Sequence, residues 1–101
     1  MKEYIDIVKK IHASKYKVTF VSSGGGTNAI SSLLGIPGAS NTIIESYIPY
    51  SKESMDKFLN KKPDQYCSLE TCLSMGANAF KKSREIDVQT KSKYLLGLAI
   101  T

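Results

Sequence analysis

The densest group of residues able to do chemistry is Ser22-Ser23-Gly24-Gly25-Gly26-Thr27, three hydroxyls around three contiguous glycines. Glycines let a backbone approach an anion closely, and successive amides at a helix N-terminus attract negative charge. A phosphate or carboxylate there would be held by amides and by the hydroxyls of Ser22, Ser23 or Thr27. This is not a Walker loop, since no Gly-Lys-Ser/Thr follows, nor a dinucleotide fingerprint, since the glycines are not spaced. The same letters also describe a turn that needs glycine only for its geometry, and both readings stay open. If Ser22 is a nucleophile it requires a base. His12 is the only imidazole; at the end of a helix before the first strand, it reads as a surface residue rather than a ligand or a partner for Ser22. Lysine is the other available base, and counting lysines does not choose one. Cys67 and Cys72 lie five apart beside a single histidine, which fits structural thiols and neither a zinc site nor a disulfide framework.

The elements that must position these groups follow from periodicity. Tyr4, Ile5, Val8 and Ile11 at helical spacing predict an amphipathic helix over 2–14. Lys17 to Ser22 (KVTFVS) reads as a strand, followed by the glycine turn and a helix through Ala29, Ile30, Leu33 and Leu34. Gly35 is placed to close that helix in the left-handed conformation, before a break at Pro37-Gly38. Thr42 to Ile48 predicts a strand, and Ser51 a cap for a helix running to Leu59. Ser68 caps a longer helix with Leu69, Cys72, Leu73, Gly76, Ala79 and Phe80 as its expected buried stripe. Tyr94 to Thr101 (YLLGLAIT) reads as a strand covered on both faces of a parallel sheet. Alternating strands and helices predict an α/β fold with helices layered on a sheet.

Composition sets outer bounds. The chain has 101 residues, 42% of them apolar and 23% charged, which fits one globular domain. No apolar run reaches membrane-spanning length, and the first residues lack a signal-peptide core, so a cytosolic (cytoplasmic) location is expected. The net charge of +5 comes almost wholly from scattered lysines, with Arg84 the single arginine. Bidentate reading of bases and phosphates falls to arginine, so nucleic acid is not the expected partner.

Four ordered blocks resemble the CinA C-terminal domain family, which includes the bacterial nicotinamide-nucleotide amidases. They are Val21-Ser22-Ser23-Gly24-Gly25-Gly26, Leu34-Gly35-Ile36-Pro37-Gly38-Ala39-Ser40, Pro49-Tyr50-Ser51, and Cys67-Ser68 opening a long helix. Family members typically show A-E-S-C-T-G-G, V-P-G-A-S, Y-S-N-E-A-K and V-S-E-E in this order. The resemblance runs through essentially the whole chain and implies a three-layer α/β/α sandwich. It implies hydrolysis of the carboxamide of nicotinamide mononucleotide to nicotinate mononucleotide and ammonia, with no metal or cofactor. Carried over, the family serine falls on Ser22, its glycines on Gly25 and Gly26, and its tyrosine and serine on Tyr50 and Ser51.

Departures from the pattern bear on activity. The family lysine falls on Met55, which cannot accept a proton; Lys52, three residues earlier on the same helical face, is the substitute candidate. Loss of such a base costs a factor of roughly 100 to 10,000. The resemblance therefore leaves two functions in view: an amidase using Ser22, Tyr50 and Lys52, with Ser23, Gly24, Gly25, Gly26, Thr27 and Ser51 holding the substrate, or a non-catalytic nucleotide-binding or oligomerising domain. The family domain also runs on past the position of Thr101, so residues 1–101 are expected to form its N-terminal two-thirds. An uncovered sheet edge would then favour self-association into a homo-oligomer.

Overall fold

A computed structural model describes residues 2–101. The order is α1 (Lys2–His12), β1 (Lys17–Ser22), α2 (Thr27–Leu34), β2 (Ile43–Tyr47), α3 (Lys52–Leu59), α4 (Leu69–Ile86) and β3 (Leu95–Ile100), with short 3-10 turns at Ala39–Asn41 and Ser92–Tyr94. The three strands form a parallel sheet in the order β2-β1-β3. The most buried strand, β1, lies at its centre, with every residue after Lys17 buried.

Alternation along β1 sorts the helices into two layers. Val18 and Phe20 point to one face and pack with Ile30 and Leu33 of α2 and with Ile43. Val21 points to the other, where Met55 and Leu59 of α3 and Met75 and Ala79 of α4 complete a second core. The result is the three-layer α/β/α arrangement. Both expected caps form: the Ser51 hydroxyl accepts from the Ser54 amide and the Ser68 hydroxyl from the Thr71 amide, each at 3.1 Å.

The backbones of α4 and β3 approach each other closely at Gly97. A Cβ at Gly97 would collide with the amide nitrogen of Phe80 and the carbonyl oxygen of Gly76. Only glycine admits this approach. It carries Ser83 Oγ to within 2.7 Å of Thr19 Oγ1 and 2.9 Å of the Leu96 carbonyl, satisfying polar groups in a buried layer.

Four local expectations are corrected. His12 is buried at 5% exposure. Its Nδ1 lies 2.7 Å from Thr42 Oγ1 and its Nε2 donates to the Leu33 carbonyl at 3.0 Å, so it ties α1 to α2 and to the entry of β2. Gly35 closes α2 with a right-handed φ of −76°; the left-handed glycine is Gly38, at φ 101°. The buried stripe of α4 is Thr71, Met75, Ala79 and Ser83, whereas Leu69 and Leu73 are 76% and 66% exposed. Finally, β3 is an edge strand rather than a doubly covered one, and Leu96 and Leu98 are 43% and 44% exposed. The last two share a cause: helices cover β1 fully but leave β3 open on its outer side.

The Gly97 contact yields a first prediction. Gly97→Ala must separate α4 from β3 and strand the Thr19–Ser83 bond, costing about 3 kcal/mol or more. Thermal denaturation followed by circular dichroism should show Tm lowered by more than roughly 10 °C. A melting curve like that of the parent would refute the contact.

Candidate functional site

The topology selects a place before any side chain is considered. The connection leaving β1 runs through α2 to β2 on one side, while the return through α3 and α4 reaches β3 on the other. The carboxyl ends of β1 and β3 therefore flank the point where the winding reverses, the position at which open α/β sheets leave a ligand crevice. The Ser22–Thr27 turn occupies it.

Within the turn the hydroxyl of Ser22, fully buried, donates to the Gly25 carbonyl and accepts from the Gly24 amide at 3.4 Å. The Ser23 amide donates to the Ile100 carbonyl at 3.1 Å, and Ser23 Oγ donates to Thr101 Oγ1 at 2.7 Å. Ile100 and Thr101 thus form one wall of the crevice, a role with no local sequence signal because it depends on which strand lies beside β1. Among the described residues the amides of Gly25, Gly26 and Thr27 have no protein acceptor. They stand at the N-terminus of α2, where the helix dipole adds partial positive charge.

The three glycines have different reasons for being glycine. Gly24 has φ 135°, outside the range of other residues. Gly26, the left-handed N-cap of α2 at φ 75°, also lies so close to Ile100 that a Cβ would come within 2.7 Å of its Cγ2. Gly25 has neither constraint: its φ is not positive, and a Cβ there would meet only Ile100 Cγ2 at 4.0 Å. The fold needs glycine on both sides of Gly25 and does not need it at Gly25.

The remaining candidates divide. Tyr50 is 78% exposed, and a Cβ at Gly24 would lie 3.5 Å from its Cε1, so its ring stands beside the turn. Ser51 is engaged as the cap of α3. Lys52 extends away to the Tyr66 ring, with Nζ 5.8 Å from the centroid. The Tyr66 hydroxyl in turn donates to Asp56 at 2.6 Å, and that bond holds the phenol above its ordinary pKa. Met55 is 2% exposed in the core beneath Val21. Its i, i+4 spacing with Leu59 was the signal for that burial. The structure thus brings Ser22, Ser23, Gly24, Gly25, Gly26, Thr27 and Tyr50 together and leaves Lys52 apart. Alongside Thr27 an open, largely apolar groove of about 440 Å³ runs over Ile30, Ser31, Leu34, Gly35 and Ile48. A more polar hollow of about 370 Å³ around Lys61–Gln65 and the start of α4 includes none of the candidate residues. Among the described residues no cluster of His, Cys, Asp and Glu could hold a metal.

No protein-family model and no curated protein sequence matches this chain. Among solved structures, the competence/damage inducible protein CihA from Agrobacterium tumefaciens is similar with a TM-score of 0.66 at 20% identity over 82% of this chain. The match takes in 54% of that protein, so the chain spans about half its length. The similarity shows a shared α/β fold of the CinA type. No helix of the described residues is long and apolar enough to cross a membrane.

The different demands on the glycines are testable by substitution. Gly26→Ala adds left-handed strain of about 1–2 kcal/mol and a clash with Ile100, and should lower Tm by roughly 5–15 °C. Gly25→Ala should leave Tm within about 3 °C of the parent, as expected where an added methyl makes only an ordinary van der Waals contact with Ile100. Equal losses at both positions would show that the turn needs all three glycines for its own geometry.

Proposed function

We propose that the chain is a CinA-like domain that binds a pyridine mononucleotide, with the nucleotide phosphate on the amides of Gly25, Gly26 and Thr27. The observation that carries this reading is Gly25. A glycine that the backbone does not require, between two that it does, suits a position where a ligand comes into contact with the main chain. The unpartnered amides, the dipole of α2 and the hydroxyls of Ser23 and Thr27 supply the chemistry an anion needs. The ring of Tyr50 borders the same turn and offers a flat surface for a base or nicotinamide ring. The free thiols Cys67 and Cys72 suit a reducing, cytoplasmic setting.

A second reading adds hydrolysis, and the position of Ser22 at the carboxyl end of β1 favours it. Ser22 Oγ would attack the carboxamide carbon, its proton passing by way of a base to the departing nitrogen as the C–N bond breaks to release ammonia, and water would then hydrolyse the acyl-serine to the carboxylate and restore the hydroxyl. Two features oppose a fast reaction. The hydroxyl is engaged with the Gly25 carbonyl, and the residue in the family lysine's position is the core residue Met55. For Lys52 to act as base it would have to leave Tyr66. Binding without turnover is therefore the function the geometry supports best.

Titration calorimetry with nicotinamide mononucleotide and nicotinate mononucleotide tests the proposal. Both should bind, inorganic phosphate should compete, and Gly25→Ala should weaken binding at least about tenfold, the loss of a charge-assisted contact, with Tm retained. Absence of heat with either nucleotide removes the binding reading. Ammonia release by the parent that disappears in Ser22→Ala would promote the amidase reading over it.

A further inference from the structure

Between the end of β2 and the helices α3 and α4 lies a hollow of about 310 Å³ that shares no residue with the glycine turn. Tyr47, Ile48 and Pro49 form its strand side, Ser54, Lys57 and Phe58 its α3 side, and Lys82 reaches it from α4. Helical spacing accounts for the α3 side: these three residues stand three and four apart on one face, while Met55 and Leu59 turn to the core. The rings of Tyr47 and Phe58 meet at 5.3 Å with a 54° tilt. Lys82, half-buried, sets its Nζ 5.0 Å from the Tyr47 centroid and 5.7 Å from that of Phe58.

Lys82 is the informative residue. Among the described residues the one salt bridge joins Lys17 to Asp87, so neither Lys82 nor Lys57 is paired with a carboxylate. A half-buried ammonium loses hydration, and two ring faces return only part of it. Glu45 stands at the Tyr47 hydroxyl and, together with burial and the charge of Glu85, pushes that phenol up to about 12. Tyr47 therefore stays a neutral ring at physiological pH. Neither glutamate lines the hollow, whose largely apolar floor thus carries two positive charges and no negative one.

We propose that this hollow is a second ligand site and takes a small aromatic carboxylate. The carboxylate sits on the Lys82 ammonium, with Lys57 and the Ser54 hydroxyl beside it, and the ring lies against Ile48, Pro49 and Phe58. Size and charge select this class. Ligand pockets run from roughly 300 to 1,000 Å³, and this one stands at the small end, which admits one ring or two fused rings. Arginine, whose planar fork suits phosphate, is missing from the lining, and lysine point charges match a single carboxylate. A bound anion also completes Lys82, replacing hydration that its packing removes.

Titration of the full chain with 2-naphthoate, followed by calorimetry, tests this without any nucleotide. Saturable one-to-one binding with a Kd of about 1 mM or tighter is expected. 2-Naphthamide, which keeps the rings and lacks the charge, and acetate, which keeps the charge and lacks the rings, should each bind at least about tenfold more weakly. Lys82→Gln should weaken 2-naphthoate at least about tenfold, and Lys57→Gln about threefold, the smaller effect of a more exposed charge. Backbone amide resonances that shift during the titration should cluster at Tyr47, Phe58 and Lys82. Far-UV circular dichroism establishes that each variant is folded; should Lys82→Gln fail to fold, Lys57→Gln and the resonance map decide. No binding up to about 10 mM, unchanged affinity in both variants, or displacement by inorganic phosphate, which would put the anion at the glycine turn, overturns the proposal.

Discussion

The close approach of α4 to β3 at Gly97 is the constraint on which the remaining geometry rests. With α4 in contact with the strand backbone, a serine on the helix can reach a threonine on the central strand. A buried hydroxyl pair of this kind has no solvent to fall back on, so separation of the layers would leave both groups unsatisfied. The same seating holds β3 against β1, and β3 supplies Ile100 and Thr101 to the crevice. Packing on one face of the sheet thereby sets the wall of a site at its end.

That site shows how three identical residues can serve separate purposes. Gly24 and Gly26 are fixed by backbone conformation, and Gly26 additionally by Ile100. Gly25 alone of the three is required by neither backbone conformation nor a clash. Ser22 is drawn inward: its hydroxyl bridges the Gly25 carbonyl and the Gly24 amide and so stabilises the loop. A serine occupied in this way contributes to the shape of the turn whether or not it ever reacts. Met55 belongs to the same picture, since a lysine at that depth would be a charge removed from water amid Val21, Leu59 and Met75.

What was legible in the sequence was what local chemistry decides. The strand at Lys17–Ser22, the glycine turn and the caps at Ser51 and Ser68 stand where composition and spacing put them. The errors concern partners distant along the chain. His12 looked like a surface residue because its hydrogen-bonding groups come from Leu33 and Thr42, on other elements. The apolar pattern of α4 admitted two faces, and the sheet selected Thr71, Met75, Ala79 and Ser83 over the more hydrophobic Leu69 and Leu73. The run in β3 had the letters of a buried strand, and nothing local could tell that it would end at an edge. At the site, the turn was visible from its glycines, but the turning of Lys52 toward Tyr66 depended on a loop whose path no short pattern describes.

The placement of β1 between β2 and β3 also has a kinetic side. The central strand is made early, yet one of its two neighbours follows only after α2, β2, α3 and α4, joined in parallel and therefore without help from a hairpin. During synthesis or refolding β1 remains half-paired until β3 arrives. Closure of the sheet then pairs Lys17 with Leu95 across all of those elements, a topology associated with slow folding and with exposure of apolar edges along the way.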